Sequence, residues 1–168
     1  MPIRRAPLVA IAAAAAAVGA APLLSGCTVP VAGVAGVTVG KDGSPVGVIA
    51  MCEEHVDGAT LHTDAEDPGA QEDAGVWKHD GPITGLTTWP LASPGDGWTA
   101  EKPFGRLAPG QAYRMYAWTE DDSWSTSGVS FTTEDLAALT PGQVRYGADD
   151  MIGTAPLEDF REKACEGF

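Results

Sequence analysis

The sequence predicts a mainly β fold, and three observations support this prediction. Short runs of β-branched residues alternate with polar ones, as in Val37-Thr38-Val39. Asp-Gly or Pro-Gly dipeptides interrupt the chain at eight places, and glycine supplies the positive φ that hairpin turns require. The pieces between these dipeptides are mostly too short for helices. This spacing favours an all-β sandwich.

The first part of the chain differs from the rest. Arg4 and Arg5 precede a stretch from Ala6 to Leu23 that carries no charge. A basic start followed by an apolar run is typical of an export signal. The run is mostly alanine, contains two prolines and has no basic flank after it, which argues against a transmembrane helix.

This stretch ends in Leu24-Ser25-Gly26-Cys27, which resembles the lipobox of bacterial lipoproteins. The resemblance implies a signal peptide over residues 1–26, whose removal leaves Cys27 as a lipidated N-terminus. Acyl chains such as palmitate would then anchor the protein in the cell membrane, on its extracytoplasmic face. Residues 27–33 are predicted to be a short tether that reaches about 20 Å, so the folded body stays near the membrane.

The predicted mature chain is strongly acidic. Loss of Arg4 and Arg5 leaves eight basic residues against 23 acidic ones, so the net charge becomes −15 rather than −13. Such a surface repels nucleic-acid phosphates and anionic lipid headgroups, so only the acyl chains can hold the protein at the membrane. The length suits a single domain over residues 34–168.

The β pattern predicts the elements of this domain in order. Strands over residues 34–39 and 46–51 flank a turn at Gly40-Lys41-Asp42-Gly43, and further strands lie near 60–62, 75–78 and 83–88. The acid-rich segment 63–73 and the segment 91–103 are predicted loops.

The clearest strand pair covers residues 113–118 and 129–133, and Leu107-Ala108-Pro109-Gly110-Gln111-Ala112-Tyr113 leads into it. This resembles the end of a fibronectin type III domain, where Leu-x-Pro-x-x-x-Tyr opens the penultimate strand. The resemblance implies an immunoglobulin-like β-sandwich in which the Tyr113 hydroxyl bonds to upstream backbone. Because side chains alternate between the two faces of a strand, Met115 and Ala117 then share the inward face with Tyr113. Phe131 from the last strand closes the core.

The C-terminal part is predicted to be a helical extension of the sandwich. Thr133 can cap a helical turn over residues 134–139, and residues 143–146 can form one more strand. A short C-terminal helix over residues 157–164 places Leu157, Phe160 and Ala164 on one face, which can dock on the sheet.

Two cysteines remain once Cys27 takes the lipid. In an oxidising compartment Cys52 and Cys165 have a single intrachain pairing, which would clamp the last helix to an early strand. Two separate buried thiols are the alternative.

Motifs of catalysis and metal binding are weak. The chain has no Gly-x-Ser-x-Gly elbow, no phosphate-binding glycine loop and no thiol left free, so we expect neither an enzyme nor a cofactor. His55, His62 and His79 lie in an acidic region, but the disulfide would remove the thiolate from Cys52-x-x-His55. We therefore assign no metal site and interpret the histidines as surface residues among solvating acids.

A loop with tryptophans at both ends is the predicted binding site. Trp118 and Trp124 flank a segment that contains Glu120, Asp121 and Asp122. In immunoglobulin-like folds such loops often bind partners, tryptophan is enriched among interface anchors, and a sugar could stack on its flat face. The alternative is that Trp118 packs on the sheet and Trp124 folds back over the hairpin.

These observations predict a membrane-anchored extracytoplasmic lipoprotein that acts as a non-catalytic binding module. Its partners are the membrane, through the lipid, and an envelope protein or glycan, with nucleic acid excluded by charge. The alternative function is a metal- or small-ligand-binding lipoprotein that uses histidine and carboxylate side chains.

Overall fold

The computed structural model describes residues 28–168, and the protein there is mainly β, as the sequence predicts. The predicted signal peptide, the lipobox and Cys27 lie outside the described residues. The first six strands are β1 (Val31–Val39), β2 (Pro45–Met51), β3 (Val56–Thr63), β4 (Asp73–Ile83), β5 (Leu86–Pro90) and β6 (Trp98–Lys102). They are followed by β7 (Tyr113–Trp118), β8 (Ser125–Ser127), β9 (Val129–Phe131), α1 (Thr133–Ala138), β10 (Gln143–Tyr146), β11 (Gly153–Pro156) and α2 (Phe160–Ala164).

The strands form one curled sheet in which β1 connects two parts. One part has the order β5-β2-β1-β10-β11, and the other has β6-β4-β3-β7 with β8 and β9 beside β7. β1 pairs with β2 in antiparallel fashion along residues 33–39 and with β10 at Gly36 and Val37. Near Val31 it pairs with β8 in parallel. β1 is therefore a central strand with a partner on each side.

The hairpin predicted at the start of the domain is confirmed. Gly43 has a φ of 79°, which glycine adopts without strain, and the Asp42 carboxylate accepts hydrogen bonds from the Ser44 amide (3.0 Å) and hydroxyl (2.6 Å). These bonds lower the pKa of Asp42. β1 begins at Val31 rather than near Val34, because Ala32 is already buried and Pro30 accepts a hydrogen bond from Ser125. The stretch before the fold is thus shorter than the predicted tether.

Most buried hydrophobic side chains belong to the main core, which contains residues from both parts of the sheet. The alternation predicted for β7 is confirmed, since Met115 and Ala117 are fully buried on the same face as Tyr113. Phe131 is also buried, as predicted. The main core consists of Ala32, Ala35, Val37, Val39, Ile49, Met51, Val56, Ala59, Leu61, Trp77, Ile83, Trp89, Leu91, Tyr113, Met115, Ala117, Val129, Phe131 and Leu136.

The segment before β7 makes the hydrogen bond that the sequence predicts. The Tyr113 hydroxyl accepts from the backbone amide of Ala108 at 2.9 Å, while the Tyr113 ring lies in the main core. Its ring centroid is 6.3 Å from that of Phe131. This contact fixes the loop before β7 to the strand that follows it.

A second and smaller hydrophobic group, the outer cluster, covers the opposite face of β1 and β2. It consists of Val34, Val48, Ala50, Val144, Ala155, Phe160 and Ala164. α2 docks here, with Leu157 packed at its edge, as the predicted apolar face requires. The Cys52–Cys165 disulfide is present, and Arg161 Nε donates to the Met51 carbonyl at 3.1 Å. The prediction of this disulfide is therefore confirmed.

Four further predicted boundaries need correction. The segment 91–103 is not all loop, because β6 forms within it and Trp98 stacks on Trp89 with ring centroids 4.5 Å apart. The predicted strand 83–88 is divided at Gly85, whose φ of 71° turns the chain between β4 and β5.

The other two corrections concern the helices. Thr132, not Thr133, caps α1, because the Thr132 hydroxyl accepts from the Asp135 amide while the Asp135 carboxylate accepts from the Thr132 amide. α2 begins at Phe160 rather than near residue 157, because the chain before it pairs with β10 as β11.

Candidate functional site

The two tryptophans of the predicted binding loop are both packed against the domain. The Trp118 indole N–H donates to Thr60 Oγ1 at 2.9 Å. The Trp118 ring lies so close to Gly58 that a Cβ atom added to this glycine would be 2.7 Å from the ring. Trp124 is half-buried against the main core. These contacts agree with the packing alternative for both indoles.

The acidic residues between them are exposed, and Glu120 contacts two neighbouring strands. Glu120 forms an ion pair with Lys78, which raises the pKa of the lysine, and the Glu120 amide donates to Asp57 Oδ2 at 3.0 Å. Hydrogen bonds from Ser123 lower the pKa of Asp121. Asp122 takes a φ of 57° at the tip of the turn. The loop is therefore held both by hydrogen bonds of its own side chains and by contacts with β3 and β4.

This loop lies at the end of the molecule where the chain enters the fold. A surface groove of about 460 Å³ there is lined by Val29 together with Trp118, Asp122 and Trp124. The Ser125 amide donates to the Pro30 carbonyl at 2.9 Å. The predicted binding loop is therefore next to the N-terminal segment that leads to Cys27.

The three histidines do not converge, and His62 is buried rather than at the surface as predicted. His55 is 3.8 Å from Asp57, whereas Nδ1 of His62 contacts the Thr63 carbonyl and Nδ1 of His79 contacts the Gly81 carbonyl. Within residues 28–168, no three His, Cys, Asp or Glu side chains are grouped as a metal ion would require.

A different groove, which the sequence did not predict, opens at the other end of β1. It has a volume of about 510 Å³ and is lined by residues from the segments 39–45, 104–107 and 133–141. We call it the distal groove. The nine-residue strand β1 separates it from the chain entry at Val31 by about 26 Å.

The distal groove combines an apolar wall with two cations. Leu136 of α1 is buried at its base, and Phe104, Leu107 and Leu139 are half-buried around it. The exposed side chains of Lys41 and Arg106 complete the lining, in which no aspartate or glutamate of the described chain takes part. A concave apolar surface with a few charged groups is the usual form of a small-molecule site.

Phe104 connects this groove to the aromatic centre of the main core. Its ring centroid is 6.3 Å from that of Trp77, and the Trp77 indole N–H donates to the Leu91 carbonyl at 3.2 Å. One wall of the groove therefore rests on fully buried side chains and is pre-formed.

Sequence reasoning missed this site because it is assembled from three distant segments. One signal was available in the chain. Lys41 and Arg106 are two of only eight basic residues after residue 26, and Arg106 stands between Phe104 and Leu107 in an otherwise acidic sequence.

Comparison with protein-family models, with curated proteins and with solved structures finds no match for this chain. In the described part of the chain, residues 28–168, no helix is long and apolar enough to cross a bilayer. The function is therefore inferred from the geometry above.

Proposed function

We propose that this protein is a lipid-anchored lipoprotein of the cell envelope whose immunoglobulin-like domain is a non-catalytic binding module. The observation that carries the proposal is the distal groove, which lies at the opposite end of β1 from the chain entry. In this arrangement the anchor and the ligand site are separated by the length of the domain. The module would bind its ligand away from the bilayer surface.

The extracytoplasmic location is supported by two independent features. The sequence Leu24-Ser25-Gly26-Cys27 follows a charge-free run of the kind that export signals have. The Cys52–Cys165 disulfide suits an oxidising compartment. Only residues 28–30 separate Cys27 from β1, so an acylated Cys27 would hold the domain against the membrane.

The strand order supports an immunoglobulin-like sandwich. In such domains strands A, B and E share one sheet, and strands C, F and G share the other. Here β1, β2 and β5 are neighbours in one part of the sheet, and β3, β7 and β8–β9 are neighbours in the other. The hydrogen bond from Ala108 to Tyr113 corresponds to the tyrosine corner at the start of strand F. β6, β10, β11 and α2 would be additions to this plan.

The short segment before β1 fixes the orientation of the domain in this proposal. The loop with Trp118 and Trp124 lies beside Val29 and would face the headgroups, where its acids repel anionic lipid. The distal groove would face outward. The groove is therefore a better candidate for contact with an envelope ligand than the predicted loop.

Anchoring is tested with Cys27→Ser. We expect wild-type protein in the membrane fraction with an acylated Cys27 by mass spectrometry, and the variant, exported behind a signal peptide without a lipobox, released in soluble form with its disulfide intact. Equal partitioning of the two proteins, or an unacylated Cys27 in the wild type, contradicts the proposal.

Orientation is tested with single cysteines at two exposed positions. Ala137→Cys places a thiol at the distal groove, and Ser123→Cys places one in the loop beside the chain entry. In lipoprotein reconstituted into vesicles, a membrane-impermeant maleimide is expected to label position 137 much faster than position 123. Equal rates would contradict the outward orientation of the groove.

A further inference from the structure

We infer that the distal groove binds long-chain carboxylates, with the acyl chain on the apolar wall and the carboxylate between Lys41 and Arg106. This inference rests on the proposed function and names the ligand class of the same groove. Three properties of the groove support the inference, namely its apolar wall, its two cations and its volume.

The apolar wall requires a partly hydrophobic ligand. Phe104, Leu107 and Leu139 stay only half-buried in the groove, although most apolar side chains of the sheet are buried. Burial of each methylene group against such a surface increases affinity by up to about fourfold. A flexible acyl chain can follow a wall that is built from three separate segments.

The cations require an anionic end. In residues 28–168 the ion pairs of the protein involve His55, Lys78 and Arg145, and none includes Lys41 or Arg106. Four other surface pockets of the described chain each have an acidic residue in their lining, namely Asp122, Asp149, Glu158 or Glu162. The distal groove is lined by two cations and no acid, so its charge is opposite to that of the whole chain.

The size of the groove fits one such molecule. Its volume of about 510 Å³ falls within the usual range for small-molecule sites, and the groove is open to solvent on one side. Arginine binds a carboxylate through two parallel hydrogen bonds, and a lysine beside it adds a second charge. A neutral amphiphile would fill the same wall but leave both cations without a counter-charge.

The binding experiment uses the Cys27→Ser protein exported behind a cleavable signal peptide that has no lipobox, which keeps residues 28–168 complete and needs no detergent. The fluorescent probe is 11-(dansylamino)undecanoic acid, and the competitors are tetradecanoate, tetradecan-1-ol and tetradecylamine. We expect saturable binding of one probe per protein, and displacement by tetradecanoate at concentrations at least tenfold lower than by the alcohol or the amine. Equal potency of the three competitors would overturn the charge assignment, and no saturable binding would overturn the inference.

Substitutions test the two cations and the apolar wall of the groove separately. Lys41→Gln combined with Arg106→Gln is expected to weaken the binding of tetradecanoate at least tenfold and to leave the potency of tetradecan-1-ol unchanged. Lys163→Gln, which removes an exposed cation from α2, is the matched control and should change neither. Ala137→Trp fills the groove from the exposed side of α1 and should abolish probe binding while the melting temperature stays the same. Full binding by either groove variant would contradict the assignment.

Two outcomes separate this inference from the proposed function. If the anchoring and orientation tests succeed and no carboxylate binds, the ligand class is wrong and the lipoprotein proposal stands. If carboxylates bind but Cys27 carries no lipid, the ligand class stands and the lipoprotein proposal is wrong. A wild-type dimer that becomes a monomer on Ala137→Trp would instead mark the groove as a contact between two copies of the chain and overturn the inference.

Discussion

The main core and the outer cluster cover opposite faces of the same two strands, yet they are built differently. On β2, Ile49 and Met51 point into the main core, whereas Val48 and Ala50 point into the outer cluster. The main core is large and includes several fully buried aromatic side chains. The outer cluster has one buried aromatic residue, Phe160, among small aliphatic ones.

This difference indicates two ways to hold a layer in place. Buried area stabilises the main core, because each large side chain removes much apolar surface from water. The outer cluster buries less and is reinforced by the Cys52–Cys165 disulfide and by the Arg161–Met51 hydrogen bond. We expect the main core to determine whether the domain folds, and the outer cluster to determine whether its C-terminal layer stays attached.

The largest effect is expected from Trp77→Ala in the main core. This change removes a fully buried side chain and its hydrogen bond to the Leu91 carbonyl, so the free energy of unfolding should fall by about 4 kcal/mol. Urea denaturation measures it. Trp98→Ala, at a half-buried site on the same aromatic group, is the control and should cost much less. Equal losses would mean that burial does not distinguish the two positions.

Removal of the disulfide should have the next largest effect. Cys52→Ser with Cys165→Ser opens a loop with a sequence separation of 113 and should reduce the free energy of unfolding by about 3 kcal/mol. Hydrogen exchange should speed up most in β11 and α2, because the outer cluster loses its clamp, and least in β3 and β7. A uniform increase across the sheet would contradict the proposed division between the two layers.

Gly36→Ala tests the packing of the outer cluster from within. A Cβ atom on Gly36 would lie 2.6 Å from Val144 Cγ1 and 3.1 Å from Phe160 Cζ, so the cluster must shift. We expect a loss of about 2 kcal/mol in the free energy of unfolding. Gly81→Ala is the matched control, since nothing lies within 4 Å of its Cβ position, and it should be nearly neutral. No difference between the two variants would mean that α2 can move away freely.

Tyr113→Phe should have the smallest effect of the four. The ring stays in the main core, but the Ala108 amide loses its acceptor, which should cost about 1 kcal/mol. Tyr146→Phe serves as control, because its hydroxyl has no hydrogen-bond partner among residues 28–168. Thermal denaturation of both variants measures the difference, and equal melting temperatures would show that the bond does not contribute.

The features that the sequence predicted correctly depend on local patterns or on simple counts. The turn at Asp42-Gly43 depends on a local dipeptide. The inward position of Met115 and Ala117 follows from the alternation of side chains along a strand. Two available cysteines leave a single possible pairing. The Tyr113 hydrogen bond is predicted by a resemblance that covers a few neighbouring residues. Each of these signals is complete within a short stretch of chain.

The features that the sequence missed depend on residues that meet only after folding. β6 lies in a segment that the sequence predicts to be a loop, because its stability comes from pairing with β4 and from the stack of Trp98 on Trp89. β11 forms only because β10 offers it an edge. The distal groove combines Lys41 with Arg106 and α1, and no local pattern connects these positions.

The central position of β1 also determines when the fold can be completed during synthesis. β1 comes first in the sheet, yet Pro30 bonds to Ser125, 95 residues later, and Thr38 bonds to Gln143, 105 residues later. Contacts at such separation require the closure of long loops and make folding slow. A nascent chain can form only the β1–β2 hairpin at first. One edge of β1 then stays unpaired until β8 and β10 emerge, and this edge is where premature aggregation would begin.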